Sequence, residues 1–253
     1  MKKVLFLAAK ELRISFVTPL AYVVMAGFVL LCGFFFFTLL QDYNTQLSVS
    51  AMQRDICPSL NKLVVEQFYD VLAIVLIFII PILTMRVIAE EKQQGTFELL
   101  VTSPITPSQI VLGKFLGVCG VVGMMLLLSF AFPLVLIVFT DPELPPIVVG
   151  FVGLLLYAAS FVALGIAISA FTKSQTIAGI VSLIVLLVFF VIDAPAPKFE
   201  GMAADVLTYL DPNTHLDLFF RGVLTGSGVV YFLSVILFGL FVANRVLEAQ
   251  DWR

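Results

Sequence analysis

Six separate apolar stretches, none with a charge in its middle, restrict what this chain can become. They run over 19–40, 71–85, 115–139, 147–171, 177–192 and 229–243. A hydrocarbon layer about 30 Å thick takes roughly 20 apolar residues of helix to cross. Lipid offers the backbone no hydrogen-bond partners, so each crossing segment has to satisfy its own amides as a helix. The expected fold is therefore all-α and polytopic, with six transmembrane helices. The second and fifth stretches are short and are expected to continue into their flanks. Pro81 and Pro133 lie inside stretches and should kink them. Hydrophobic residues make up 61% of the chain and charged ones 12%, where soluble domains sit near half and about a quarter. That difference excludes an ordinary soluble core.

The first stretch is too long for a signal-peptide core and ends in Phe34-Phe35-Phe36-Phe37, with no small-residue cleavage pattern after it. It reads as a retained span. Orientation follows from lysine and arginine. Ten of the fourteen, among them Lys2, Lys3, Lys10, Arg13, Arg86, Lys92 and Lys114, fall in the amino-terminal arm and alternate connections. The remaining four, Arg54, Lys62, Lys198 and Arg221, share the other side with most of the acids. Both termini are expected on the cytoplasmic side. Cys32 and Cys119 lie in apolar stretches and leave Cys57 without a partner, so no disulfide framework or metal spacing is implied.

Residues 1–16 form a helix of another kind. Leu5, Ala8, Leu12 and Phe16 share one face, and Lys2, Lys3, Lys10 and Arg13 cluster on another. This pattern suits a helix lying in the membrane interface and held by anionic lipid. A basic segment that only fixes topology would look the same. The connection over 86–106 is the most structured inner-side feature. Phe97, Leu100 and Val101 share a helical face, and Gly95 and Pro104 punctuate the segment. Its apolar edge fits a partner's groove, or packs on lipid or the chain's own spans. Thr106-Pro107-Ser108-Gln109 marks the start of the third span, with Thr106 as cap, Pro107 at the first helical position and Gln109 placed for a capping box.

At these residues the chain resembles the type-2 ABC transporter permeases. A basic arm with Lys10-Glu11-Leu12-Arg13, six spans, and Glu90-Glu91-Lys92-Gln93-Gln94-Gly95-Thr96-Phe97-Glu98-Leu99-Leu100 followed by Ser103-Pro104 carry the likeness. It is most similar to the permeases of gliding motility and nitrous-oxide-reductase maturation, supported by Asp211-Pro212-Asn213-Thr214-His215 and Arg221-Gly222. The resemblance implies a half-transporter of the bacterial inner (cytoplasmic) membrane. It pairs with a second permease subunit, as homo- or heterodimer, and sits on soluble ABC ATPase subunits. Glu90, Glu91, Gly95, Thr96, Phe97, Glu98, Leu99 and Leu100 would belong to the coupling helix, and the arm with Lys2, Lys3, Lys10 and Arg13 would be the connecting helix. ATP and Mg would be bound by the partner, with no cofactor on this chain, and transport would be export.

No Gly-x-x-x-x-Gly-Lys-Ser/Thr phosphate loop occurs in the sequence; Gly113-Lys114 is the nearest fragment. The chain is therefore expected to have no ATPase site, no catalytic residue, no metal and no nucleic-acid partner. The outer segment 193–228 is too long for a turn. Ala194-Pro195-Ala196-Pro197 should break the fifth span, 202–210 can form a short helix, and another should run from Asp211-Pro212-Asn213-Thr214 to about Leu224. Thr214 with Asp217 resembles an amino-terminal cap. Relatives in the resembled family carry short outer re-entrant helices here, so Pro212, Asn213, His215 and Arg221 become candidates. A lone histidine makes neither a metal site nor a dyad, which favours a capping or hydrogen-bonding role for His215.

Ala159, Ala163, Ala167 and Ala170, together with Gly113-x-x-x-Gly117 and Gly239-x-x-x-Ala243, are small-residue contacts suited to joining helices, more often within a subunit than across a dimer. Phe34 to Phe37 and Phe189-Phe190 could line an apolar path or face lipid. A gradient-driven transporter would need charged or broken helices near the midplane. A membrane enzyme would need paired acids or histidines at depth. A membrane anchor for a motility or secretion machine stays compatible with the same residues.

Overall fold

The computed structural model describes residues 2–53, 59–95, 106–140, 142–192 and 202–251. Every regular element among them is helical. In chain order these are α1 (Lys2–Val17), α2 (Pro19–Gln53), α3 (Gln67–Thr84), α4 (Ala89–Gln93), α5 (Pro107–Ser129), α6 (Ala131–Thr140), α7 (Leu144–Phe171), α8 (Gln175–Val191), α9 (Met202–Leu210), α10 (Pro212–Phe220) and α11 (Gly226–Asp251). A wider π-type turn over Asn61–Glu66 leads into α3.

Among the described residues five segments are long and apolar enough to cross a membrane: Ala21–Ser50, Asn61–Gln93, Pro107–Thr140, Leu144–Phe171 and Gly226–Ala249. The sixth apolar stretch is the 17-residue α8. At 1.5 Å per residue it rises only about 26 Å, short of a full crossing. The Ala194 to Pro197 breaker beyond it lies outside the described residues. The spans otherwise extend past the apolar windows, because a helix does not stop where hydropathy falls. α2 continues to Gln53, and α11 runs from Gly226 to Asp251.

The prolines act differently. α3 passes through Pro81 unbroken. The third span is divided at Phe130 into α5 and α6, three residues before Pro133, where the ring would meet the Ser129 carbonyl one turn back.

α7 forms the centre. It is apolar on all sides, which suits a helix surrounded by others rather than one facing solvent. Tyr157, Phe161, Ala163, Ile166 and Ala170 are buried along it, with α3, α5, α8, α10 and α11 packed around. Small residues set the distances. A Cβ on Gly239 of α11 would lie 2.8 Å from the Ala163 carbonyl carbon, and one on Gly165 would lie 2.4 Å from the Thr84 hydroxyl of α3. The Gly239 and alanine stripes thus join helices of one subunit. α2 sits at the periphery and presents Leu30, Phe34 and Phe37 outward, while Phe36 turns in to Phe68 and Phe132 with ring centres 5.4 Å from each.

Candidate functional site

α1 lies along α5 because α5 carries a stripe of glycines. Cβ atoms on Gly113, Gly117 and Gly120 would come within 2.7 Å of Leu7, 2.6 Å of Glu11 and 2.9 Å of Leu12. The face of α1 turned to the protein is therefore Leu7, Ala8, Glu11 and Leu12. The sequence-derived stripe is corrected by this rotation: Leu5 is exposed, and so is Phe6, while Leu7 is buried. Lys2, Lys3, Lys10 and Arg13 are on the exposed side.

That close approach brings charge together beneath the spans. Lys114, in the second turn of α5, is only 1% exposed. Its ammonium lies 2.8 Å from a Glu91 oxygen of α4 and 3.5 Å from a Glu11 oxygen of α1, and donates to the Val87 carbonyl at 2.6 Å. Lys114 thus belongs to the helix interior, not to the connecting loop where hydropathy places it. Burial holds the Glu11 carboxyl above its ordinary range; Lys114 pulls it down and Glu91 pushes it up.

α4 is tied to α7 as well. The Ser169 hydroxyl accepts from the Ile88 and Ala89 amides at 3.3 and 3.1 Å and donates to the Met85 carbonyl at 3.3 Å. The Lys92 ammonium donates to the Ala170 carbonyl at the end of α7. Four helices therefore meet at α4: α1 and α5 through charge, α7 through hydrogen bonds, and α3 through chain continuity. Glu90 is half-buried and accepts from the Gln94 side-chain amide at 3.1 Å. Gly95 ends the helix at φ +72°, a left-handed conformation that favours glycine. Thr96, Phe97, Glu98, Leu99 and Leu100 lie outside the described residues, as do Val101 and Pro104.

The start of α5 falls at Pro107, with Thr106 extended before it, but no capping box forms. Thr106 makes no side-chain cap bond, and its carbonyl instead accepts from the Gln109 amide at 2.9 Å.

At the opposite end of the spans, Asp211 rather than Thr214 caps α10. Its carboxylate accepts from the Asn213 and Thr214 amides at 3.2 and 2.8 Å, and from the Thr214 hydroxyl at 2.9 Å. Pro212 takes the first helical position. Asn213 donates to the Phe190 carbonyl of α8 at 3.0 Å, and His215 Nε2 donates to the Tyr209 carbonyl of α9 at 3.0 Å. The imidazole also stacks on Tyr231 of α11, with centres 4.3 Å apart. Arg221 pairs with Asp217 at 2.7 Å on the surface. α10 ends at Phe220, short of Leu224, because Gly222 adopts φ +81° against Pro145 and Pro146. The nine residues each of α9 and α10 rise about 14 Å, far less than a bilayer.

Among the described residues no group of three or more His, Cys, Asp or Glu side chains is arranged to hold a metal ion. Through the inner-side contacts α4 is linked directly to α5 and α7, and to α1 by way of Lys114.

Sequence reasoning selected Glu90, Glu91 and Gly95 but passed over Glu11, Lys114 and Ser169. A signal was present in Gly113-Lys114-x-x-Gly117, where a lysine sits beside a close-packing stripe. The family model described as ABC-2 family transporter protein matches residues 5–251. No curated protein matches the chain.

Proposed function

The chain belongs to the ABC-2 family of transporter proteins, and we propose that it is the membrane-spanning permease subunit of an ATP-driven exporter, moved by separate ATPase chains through α4 and the residues after it. The observation that carries this is Lys114, whose buried ammonium joins α1, α4 and α5. A push on the inner-side connector is then delivered to the amino-terminal helix and the third span at once.

In this reading six segments cross the membrane, α8 among them. α1 is the connecting helix at the inner surface, and α9 and α10 are short re-entrant helices on the outer side. Both termini face the cytoplasm, the membrane is the bacterial inner membrane, and two permease subunits pair. ATP and Mg belong to the partner, since this sequence has no phosphate loop. The likeness to gliding-motility and nitrous-oxide-reductase-maturation permeases rests on the Asp211 to His215 segment with Arg221-Gly222.

The test is reconstitution with the separate soluble ABC ATPase that this reading requires. Glu90→Arg reverses a charge on α4 at a carboxylate that lines the same cavity but is not one of the groups pairing with Lys114. It should abolish stimulation of the ATPase by the permease while the protein still purifies as a folded species. Undiminished stimulation would remove α4 from the coupling path. Solute movement driven by an ion gradient, with no ATPase present, would defeat the exporter reading itself. Glu91→Arg is a poorer test, because it would set two cations against each other in the buried cluster.

A further inference from the structure

A cavity of about 490 Å³ opens between α1, the end of α3, α4 and α5. Its size falls in the range of small-molecule sites, roughly 300–1,000 Å³. Its lining is mixed. Lys10, Arg86 and Lys114 line it together with the carboxylates of Glu11, Glu90 and Glu91, and Leu83, Val118 and Val121 add an apolar wall. At the rim, Ile14 and Ile82 are exposed apolar side chains, and Lys10 is an exposed cation. The mouth therefore offers both an apolar and a charged surface, which is what an amphiphile requires.

The two deeper cations differ. Lys114 is fully engaged by Glu11, Glu91 and the Val87 carbonyl. Arg86 lines the same cavity, yet its Nε is buried with no hydrogen-bond partner among the described residues. A buried donor without an acceptor is costly, and more so when charged. The guanidinium fork matches a phosphate through two parallel bonds. Arg86 also lies one turn beyond Ile82, where the apolar run of α3 gives way to the Glu90-Glu91 segment.

We infer that this cavity binds one membrane glycerophospholipid, its phosphate held by Arg86 with Lys10 at the rim and the first carbons of its chains against Leu83, Val118 and Val121. A free anion would leave the apolar wall uncovered, and a purely apolar molecule would leave the Arg86 Nε unmet. The bound lipid is a resident of the inner-side helices and not the transported solute. The inference needs only a membrane chain, so it stands or falls apart from the coupling reading.

Native mass spectrometry of the full chain, purified in mild detergent, tests it. The wild type should retain one phospholipid mass through delipidation. Arg86→Gln should lower that occupancy about tenfold or more, as loss of charge-assisted bonds worth about 1.5–3 kcal/mol requires. Arg86→Lys should recover only part of it, since an ammonium lacks the fork. Excess inorganic phosphate should leave the lipid in place. Displacement by phosphate alone would identify a free-anion site and overturn the inference. Equal lipid retention in a folded Arg86→Gln variant would overturn it too. Should that variant fail to fold, Lys10→Gln at its exposed position carries the test: reduced retention supports the site, and unchanged retention refutes it.

Discussion

Replacing Lys114 with methionine isolates the contribution of the buried ammonium, because the side-chain stem and helix propensity are nearly kept. At an effective dielectric of about 20, Coulomb's law assigns about 6 kcal/mol to its contact with Glu91 at 2.8 Å and about 5 kcal/mol to Glu11 at 3.5 Å. Removing three charged groups from water offsets most of that sum. What the variant measures is the penalty of leaving two carboxylates without their cation, which for buried pairs is about 3–5 kcal/mol. Glu11 and Glu91 keep 15% and 22% exposure, so both retain some water. We expect a loss of about 2–4 kcal/mol, below the full buried-pair value for that reason. Adding Glu11→Gln to Lys114→Met removes one of the stranded charges and should recover about 1 kcal/mol or more. Equilibrium unfolding in mixed micelles reads the stability, and protease cleavage within α1 reads its release from α5. A Lys114→Met variant within about 0.5 kcal/mol of wild type, or two losses that simply add, would refute the reasoning.

The remaining predictions concern packing, caps and pH. Gly117→Leu places a side chain where even a Cβ would lie 2.6 Å from Glu11, so it should detach α1 and cost about 1–3 kcal/mol, seen as faster proteolysis of the first helix. Gly222→Ala combines a φ of +81° with an approach of 2.9 Å to the Pro146 nitrogen, and should destabilise more than Gly95→Ala, where φ is +72° but no atom of the described residues lies within 4 Å; thermal unfolding of the two variants gives the comparison. Asp211→Ala removes the acceptor of two backbone amides and should cost about 1–2 kcal/mol, read by the same unfolding measurement. Glu11 titrates above its ordinary value of 4.5, so between the two values the folded state holds more protons than the unfolded one. Its contribution is therefore complete below pH 4.5 and is lost as pH rises through the raised value. Glu11→Gln should flatten that part of the pH–stability curve.

How much of this was legible depended on whether a feature is local. Helices were readable because lipid leaves the backbone no alternative, and the start of α5 because Pro107 fits only a first turn. Proline also decides the cap of α10: with Pro212 at the first helical position, the residue before it, Asp211, is the one whose carboxylate meets the free amides. The face of α1 was not readable from α1. Val4, Leu5, Phe6, Leu7, Ile14, Phe16 and Val17 are distributed around much of that helix, so its own periodicity leaves several docking faces open. The choice is made by Gly113, Gly117 and Gly120 a hundred residues later, which admit Leu7, Glu11 and Leu12 and no bulkier contact. Lys114 was hidden for a related reason. A hydropathy window treats a charge as the edge of a span, whereas here the charge lies inside the helix because its counter-charges arrive from two other elements. Glu11 can reach it only because Gly117 lets the backbones of α1 and α5 come so near. Close packing and charge pairing at this site are therefore one arrangement, and a side chain added to the glycine should weaken the ion pair as surely as removing the lysine.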